Sequence, residues 1–182
     1  MTLFSRKYGA GKPLVILHGL FGQSDNWNTL SKKFAENSFE VFTVDLRNHG
    51  LSPHSDEWSY ESMAQDLKEF IVENNLEKPF LIGHSLGGKV LMFFEMMFPD
   101  IAEKIVVVDM APKAYPPHHN EALKALMAVD LEKVSSRKDA ENKLNEFALD
   151  FGTKQFLLKN LYRLTETENQ KLFGWRFNLK TI

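Results

Sequence analysis

The segment Gly83-His84-Ser85-Leu86-Gly87 is a G-x-S-x-G pattern, and it stands where the apolar run Phe80-Leu81-Ile82 gives way to a helical one. A serine at a sharp strand-to-helix turn presents its Oγ clear of its own backbone, as a nucleophile elbow does. Such a turn strains the serine backbone, so the residues two positions away on either side must be small; Gly83 and Gly87 meet that demand. Five residues of this kind also arise by chance. Their weight depends on what surrounds them.

An acyl-transfer serine needs two backbone N–H groups aimed at the developing oxyanion, each worth about 3 kcal/mol in the transition state. One comes from the residue after the nucleophile, here Leu86, and one from a glycine-flanked loop after an upstream strand. Leu17-His18-Gly19-Leu20-Phe21-Gly22 is such a loop. It offers Leu20 as the second donor, with Phe21 as the alternative and an ordinary glycine turn as the bland reading. Asp109 closes the apolar run Ile105-Val106-Val107-Val108. A carboxylate there can orient a catalytic imidazole, or merely cap a loop. The order serine, acid, histidine is that of this kind of elbow enzyme. Six histidines are present, and four (His18, His49, His54 and His84) precede Asp109. His118 and His119 follow it almost at once, in a proline-rich turn suited to packing or solvent. The expectation is that the chain stops before its catalytic histidine. Asp45-Leu46-Arg47-Asn48-His49-Gly50-Leu51-Ser52 reads as a loop pinned by buried hydrogen bonds rather than as a substrate contact.

The elements that must position these groups alternate through the first 110 or so residues. Apolar runs at 13–17, 39–45, 80–82 and 105–108 read as strands. Helical patterns lie between them: one capped by Asp25 with Trp27, Leu30 and Phe34 on one side, one carrying Met63, Leu67, Phe70 and Ile71, and one over 88–98. This β-α-β order predicts an α/β fold with a mainly parallel sheet and helices on both faces. Beyond Pro112 and the break at Tyr115-Pro116-Pro117 the pattern is helical over 121–129, 138–147 and 154–161. We expect residues 1–112 to form the core and 113–182 a helical lid that supplies an apolar acyl pocket.

The 182 residues, 43% apolar, suffice for a sizeable core, and the net charge of -2 gives no bias toward nucleic acid. Cysteine is absent, which excludes disulfides and thiol nucleophiles. No apolar run reaches the roughly 18 residues of a membrane span, so a cytoplasmic protein is expected. Gly83 to Lys89 also satisfies the phosphate-loop pattern G-x-x-x-x-G-K, but Val90 stands where Ser or Thr must ligate Mg²⁺. A hydrolase-like scaffold used only for binding is the other alternative.

Together these motifs resemble the α/β-hydrolase superfamily. The combination of His18 to Gly22, Asp45 to Ser52, Gly83 to Lys89 and Val108-Asp109-Met110-Ala111-Pro112 is similar to small bacterial acyl esterases related to the mitochondrial abhydrolase-11 group. Gln155 to Leu161 and Trp175 to Leu179 are similar to that subgroup's lid. The resemblance implies Ser85 as nucleophile, Asp109 as acid, and the Leu20 and Leu86 amides as oxyanion hole. It implies a small acyl ester as substrate, with no metal and no organic cofactor. Members of the group continue for further strand–helix units that carry the histidine, whereas this sequence ends at Lys180-Thr181-Ile182. On that reading the strand at 105–108 becomes an unprotected sheet edge, open to self-association.

Overall fold

Parallel strands form where the sequence is apolar on both faces. In the computed structural model, which describes residues 1–116, 119–164 and 172–182, five strands make one sheet: β1 (Ser5–Tyr8), β2 (Lys12–Leu17), β3 (Phe39–Val44), β4 (Phe80–His84) and β5 (Lys104–Val108). Their order is β1-β3-β2-β4-β5. The last four are parallel, and β1 is antiparallel to β3. Leu17 stands opposite both Val44 and Gly83, and His84 stands opposite Val108. The C-terminal ends of β2, β3, β4 and β5 therefore lie level, so the loops that follow them emerge side by side.

Helices α1 (Asn28–Ala35), α2 (Tyr60–Glu73) and α3 (Leu86–Met97) connect these strands. The larger core joins the sheet to α2 and α3 through Leu17, Val44, Leu67, Leu81, Leu91 and Phe94. On the other face Leu14, Ile16 and Val41 pack with Trp27 and Phe34. α2 starts at a capping box in which Ser59 accepts from the Ser62 N–H. Asp25 does not cap α1 as its sequence position suggests. It lies inside a 3-10 turn, Ser24–Trp27, whose cap is Gln23, and α1 starts only after Trp27. Leu30, expected on the buried side, is exposed. β5, expected to be covered on both faces, alternates instead: Val106 is 51% exposed and Val108 37%.

The chain divides into two compact units, Met1–Pro112 with Thr181–Ile182, and Lys113–Lys180. The second unit holds α4 (Asn120–Ala128), α5 (Arg137–Leu144) and α6 (Phe151–Leu158). It is not helical throughout. A short antiparallel pair, β6 (Leu161–Arg163) and β7 (Phe173–Trp175), follows α6. Asp150 accepts from the Thr153 N–H and starts α6 three residues earlier than the leucine pattern suggests.

The loop after β3 is built from buried polar groups that satisfy one another. Asp45 is 1% exposed; its carboxylate accepts from the backbone N–H groups of Ser24 and Leu51, and its carbonyl accepts from Ser52 Oγ. Arg47 forks onto Asp66 of α2, Nε to Oδ2 at 2.6 Å and Nη2 to Oδ1 at 2.9 Å. Its remaining donors reach the carbonyls of Glu57 and Ser62 and the Glu57 carboxylate. The Asp66 carboxylate holds the guanidinium pKa above its usual value.

Two buried imidazoles complete this loop's attachment. His18 donates from Nδ1 to the Gly19 carbonyl at 2.8 Å and accepts the Leu46 N–H at Nε2, 3.0 Å away. His49 donates from Nδ1 to the Arg47 carbonyl at 3.0 Å and accepts the Phe21 N–H at Nε2, 3.3 Å away. Their ring centroids are 5.0 Å apart. Burial, before any other cause, pushes the His18 pKa down to about 4 and that of His49 down to about 3. Both rings are therefore neutral at pH 7, each with one donor and one acceptor in use.

Two stability predictions follow from these groups. Asp66→Ala leaves the Arg47 charge buried and poorly paired, and should cost about 3–5 kcal/mol in urea denaturation. Replacing both partners, Arg47→Met with Asp66→Leu, should recover most of that loss. The histidines set a pH dependence. Below the ordinary value of 6.5 the unfolded chain binds protons that the native state refuses until about pH 4 and pH 3. Stability should therefore fall as pH falls through that window, by up to about 1.4 kcal/mol per pH unit for each ring. Denaturation midpoints measured from neutral pH downward check this, and the slope should be shallower in His49→Gln.

Candidate active site

Ser85 occupies the junction between β4 and α3 with φ 50° and ψ -111°, a left-handed backbone that a non-glycine residue rarely adopts. The turn is too tight for side chains on either side. A Cβ on Gly83 would meet the Gly87 carbonyl oxygen at 2.4 Å, and one on Gly87 would meet the Leu17 carbonyl oxygen at 2.7 Å. Val90, where a phosphate loop carries the Ser or Thr that ligates Mg²⁺, is fully buried in α3.

Backbone hydrogen bonds sew this turn to the neighbouring strand ends. Ser85 N–H donates to the Val108 carbonyl at 3.0 Å, and Gly87 N–H donates to the His18 carbonyl at 3.1 Å. The loop after β2 comes close enough that a Cβ on Gly19 would lie 3.3 Å from Ser85 Cβ. Three groups named from sequence are thereby brought together: the Ser85 turn, the His18–Gly22 loop beside it, and Asp109 one residue beyond the Val108 anchor.

The amides in this neighbourhood are not equivalent. Phe21, the alternative loop donor, has its N–H bound to His49. Gly22 N–H is bound to the Gly19 carbonyl at 2.9 Å. Among the described residues neither Leu20 nor Leu86 has an intramolecular acceptor for its N–H. Leu20 and Leu86 also wall a cavity of about 350 Å³ in the first unit, with Trp58, Tyr60, Met63, Ile182 and the polar Ser59 and Glu61. Sequence reading had not singled out Trp58 and Tyr60. An aromatic pair flanking a serine cap, just ahead of an amphipathic helix, was the available signal.

Asp109 has φ 55° and a side chain that is 86% exposed. Its Oδ2 lies 3.9 Å from Nε2 of His84, a ring that also packs edge-on against Trp27. His18 and His49 use both ring nitrogens elsewhere, so neither is available to exchange a proton with Ser85. His119 stands at the N-cap position of α4 in the second unit without a side-chain capping bond, and His118 lies outside the described residues. No helix among the described residues is long and apolar enough to cross a membrane.

Comparison with known proteins agrees with this fold. Residues 12–172 match the family described as alpha/beta hydrolase fold. The chain is 42% identical over 176 residues to the sn-1-specific diacylglycerol lipase ABHD11 of Mus musculus, covering 93% of this chain and 56% of that protein. It is 35% identical over 171 residues to esterase YbfF of Escherichia coli, covering 93% of this chain and 63% of that one. Among solved structures a marine microorganism esterase superposes with a TM-score of 0.92 at 40% identity, covering all of this chain and 70% of the other. The chain thus spans little more than half the length of these curated relatives. It belongs to the α/β-hydrolase fold family, among members named as esterases and lipases.

Proposed function

We propose that this chain carries the nucleophile and the oxyanion hole of a serine carboxylic-ester hydrolase acting on short to medium acyl chains. The observation that carries the reading is the strained Ser85 turn beside the His18–Gly22 loop, with the Leu20 and Leu86 amides lacking an acceptor among the described residues. Ser85 Oγ attacks the ester carbonyl carbon, and the carbonyl oxygen takes up the electron pair under the Leu20 and Leu86 N–H groups. A histidine takes the serine proton and passes it to the leaving alcohol as the carbonyl–oxygen bond breaks. Water then releases the acid from the acyl-enzyme by the same route. Asp109, at the end of β5, orients that histidine, which we place outside these 182 residues. The cavity beside Leu20 and Leu86, walled mainly by apolar side chains, supports an apolar substrate portion in the few-hundred-Å³ range of small-molecule sites.

The test uses the full-length protein carrying this sequence. A fluorophosphonate should label Ser85, and Ser85→Ala should lower kcat for a p-nitrophenyl ester by about 10⁶-fold. Unchanged hydrolysis by Ser85→Ala would reject the assignment. The 182-residue chain alone should be slower than the full-length protein by a similar factor. We also propose that this shorter chain self-associates through β5, whose Val106 and Val108 are exposed. Light scattering should show oligomers that Val106→Lys with Val108→Lys returns to monomer.

A further inference from the structure

We infer that His49 is a positioning residue of the acyl-transfer site, one that selects which amide of the His18–Gly22 loop is left to face the substrate. The inference rests on the proposal that the Leu20 N–H is an oxyanion donor. The loop presents consecutive amides at Leu20 and Phe21, and its sequence favours Leu20 without naming the group that occupies the other. That group is His49: Nε2 accepts the Phe21 N–H at 3.3 Å, while the Leu20 N–H keeps no intramolecular acceptor among the described residues.

The imidazole is itself over-determined. Its Nδ1 donates to the Arg47 carbonyl at 3.0 Å, which fixes the tautomer and leaves Nε2 as the acceptor. Arg47 is in turn forked onto Asp66, so the carbonyl that orients the ring belongs to a residue clamped at its other end. The His49 ring packs against the Trp58 ring with centroids 5.8 Å apart, and Trp58 walls the same cavity as Leu20 and Leu86. Both partners of the key bond are closed to water, His49 at 0% exposure and Phe21 at 3%. Phe21 has φ 59°, a bend that its bound N–H helps to hold. Without the Nε2 acceptor, Phe21 N–H would lose this bond in a dry site, and the loop would be drawn to turn to replace it. The peptide that turns is the one beside Leu20.

Three variants of the full-length protein test this. His49→Leu removes the acceptor. His49→Gln returns an oxygen near the position of Nε2, and His49→Asn offers a similar amide on too short a stem. With a p-nitrophenyl ester, His49→Leu and His49→Asn should lose about 10–100-fold in kcat with KM within about threefold, a loss short of deleting an oxyanion donor. His49→Gln should regain most of it. Affinity for an oxyanion-mimicking trifluoromethyl ketone should fall in step with kcat. Full kcat in His49→Asn, or equal losses in His49→Gln and His49→Asn with both variants folded, would overturn the inference. Should His49→Leu not fold, the Gln and Asn pair carries the same comparison. Failure of the Ser85 assignment would show separately, as hydrolysis that survives Ser85→Ala.

Discussion

The site hangs on the close approach of Gly87 to the end of β2. Its N–H binds the His18 carbonyl, and the position of a Cβ is already taken by Leu17. That contact fixes the start of α3 against the loop after β2. The bond from Ser85 N–H to Val108 fixes the other side of the turn against the end of β5. Ser85 is therefore gripped by both neighbours of β4. A left-handed non-glycine residue costs on the order of 1–3 kcal/mol, and it persists only where its surroundings over-determine it. Here they do, because parallel strands with level ends bring three chain segments to within hydrogen-bonding distance of one another.

The second constraint is polar. Asp45, Arg47, His18, His49 and Asp66 are all nearly closed to solvent, and burying such groups is unfavourable unless every donor and acceptor is matched. Matching is what makes the cluster specific. Asp45 ties the loop after β3 to the 3-10 turn, Arg47 ties it to α2, and the two imidazoles tie it to the loop beside Ser85. An apolar cluster of the same volume would hold these segments together without fixing which amide points where. Uncharged imidazoles suit this task, since each offers one donor and one acceptor at fixed angles.

How much of this could be read from the sequence depends on how local the cause is. β2, β3 and β4 were legible because strands inside a parallel sheet read as apolar runs; β5 carries such a run although it lies at the sheet edge with alternate residues exposed. β1, with the sequence Ser5-Arg6-Lys7-Tyr8, was not legible, because an edge strand needs no apolar pattern. β6 and β7 are three residues each, too short to show a period, and Leu161 belongs to β6 rather than to the preceding helix. The Ser85 turn was legible because its glycines answer a steric demand within five residues. The sequence favours Leu20 over Phe21 as a free amide but does not show why the Phe21 N–H is occupied, because its acceptor, His49, lies 28 residues away.

Asp109 shows how a residue can be fixed in backbone and yet exposed in side chain. Its position follows from Val108, whose carbonyl anchors Ser85, so the backbone beside the turn is fixed. Its carboxylate is 86% exposed, with His84 Nε2 3.9 Å away. A carboxylate that orients an imidazole in a serine triad is buried and held by hydrogen bonds. At Asp109 the backbone is set by its neighbour while the carboxylate stays largely exposed. The backbone at this edge is tied in through the pairing of β4 with β5 and the Ser85–Val108 bond.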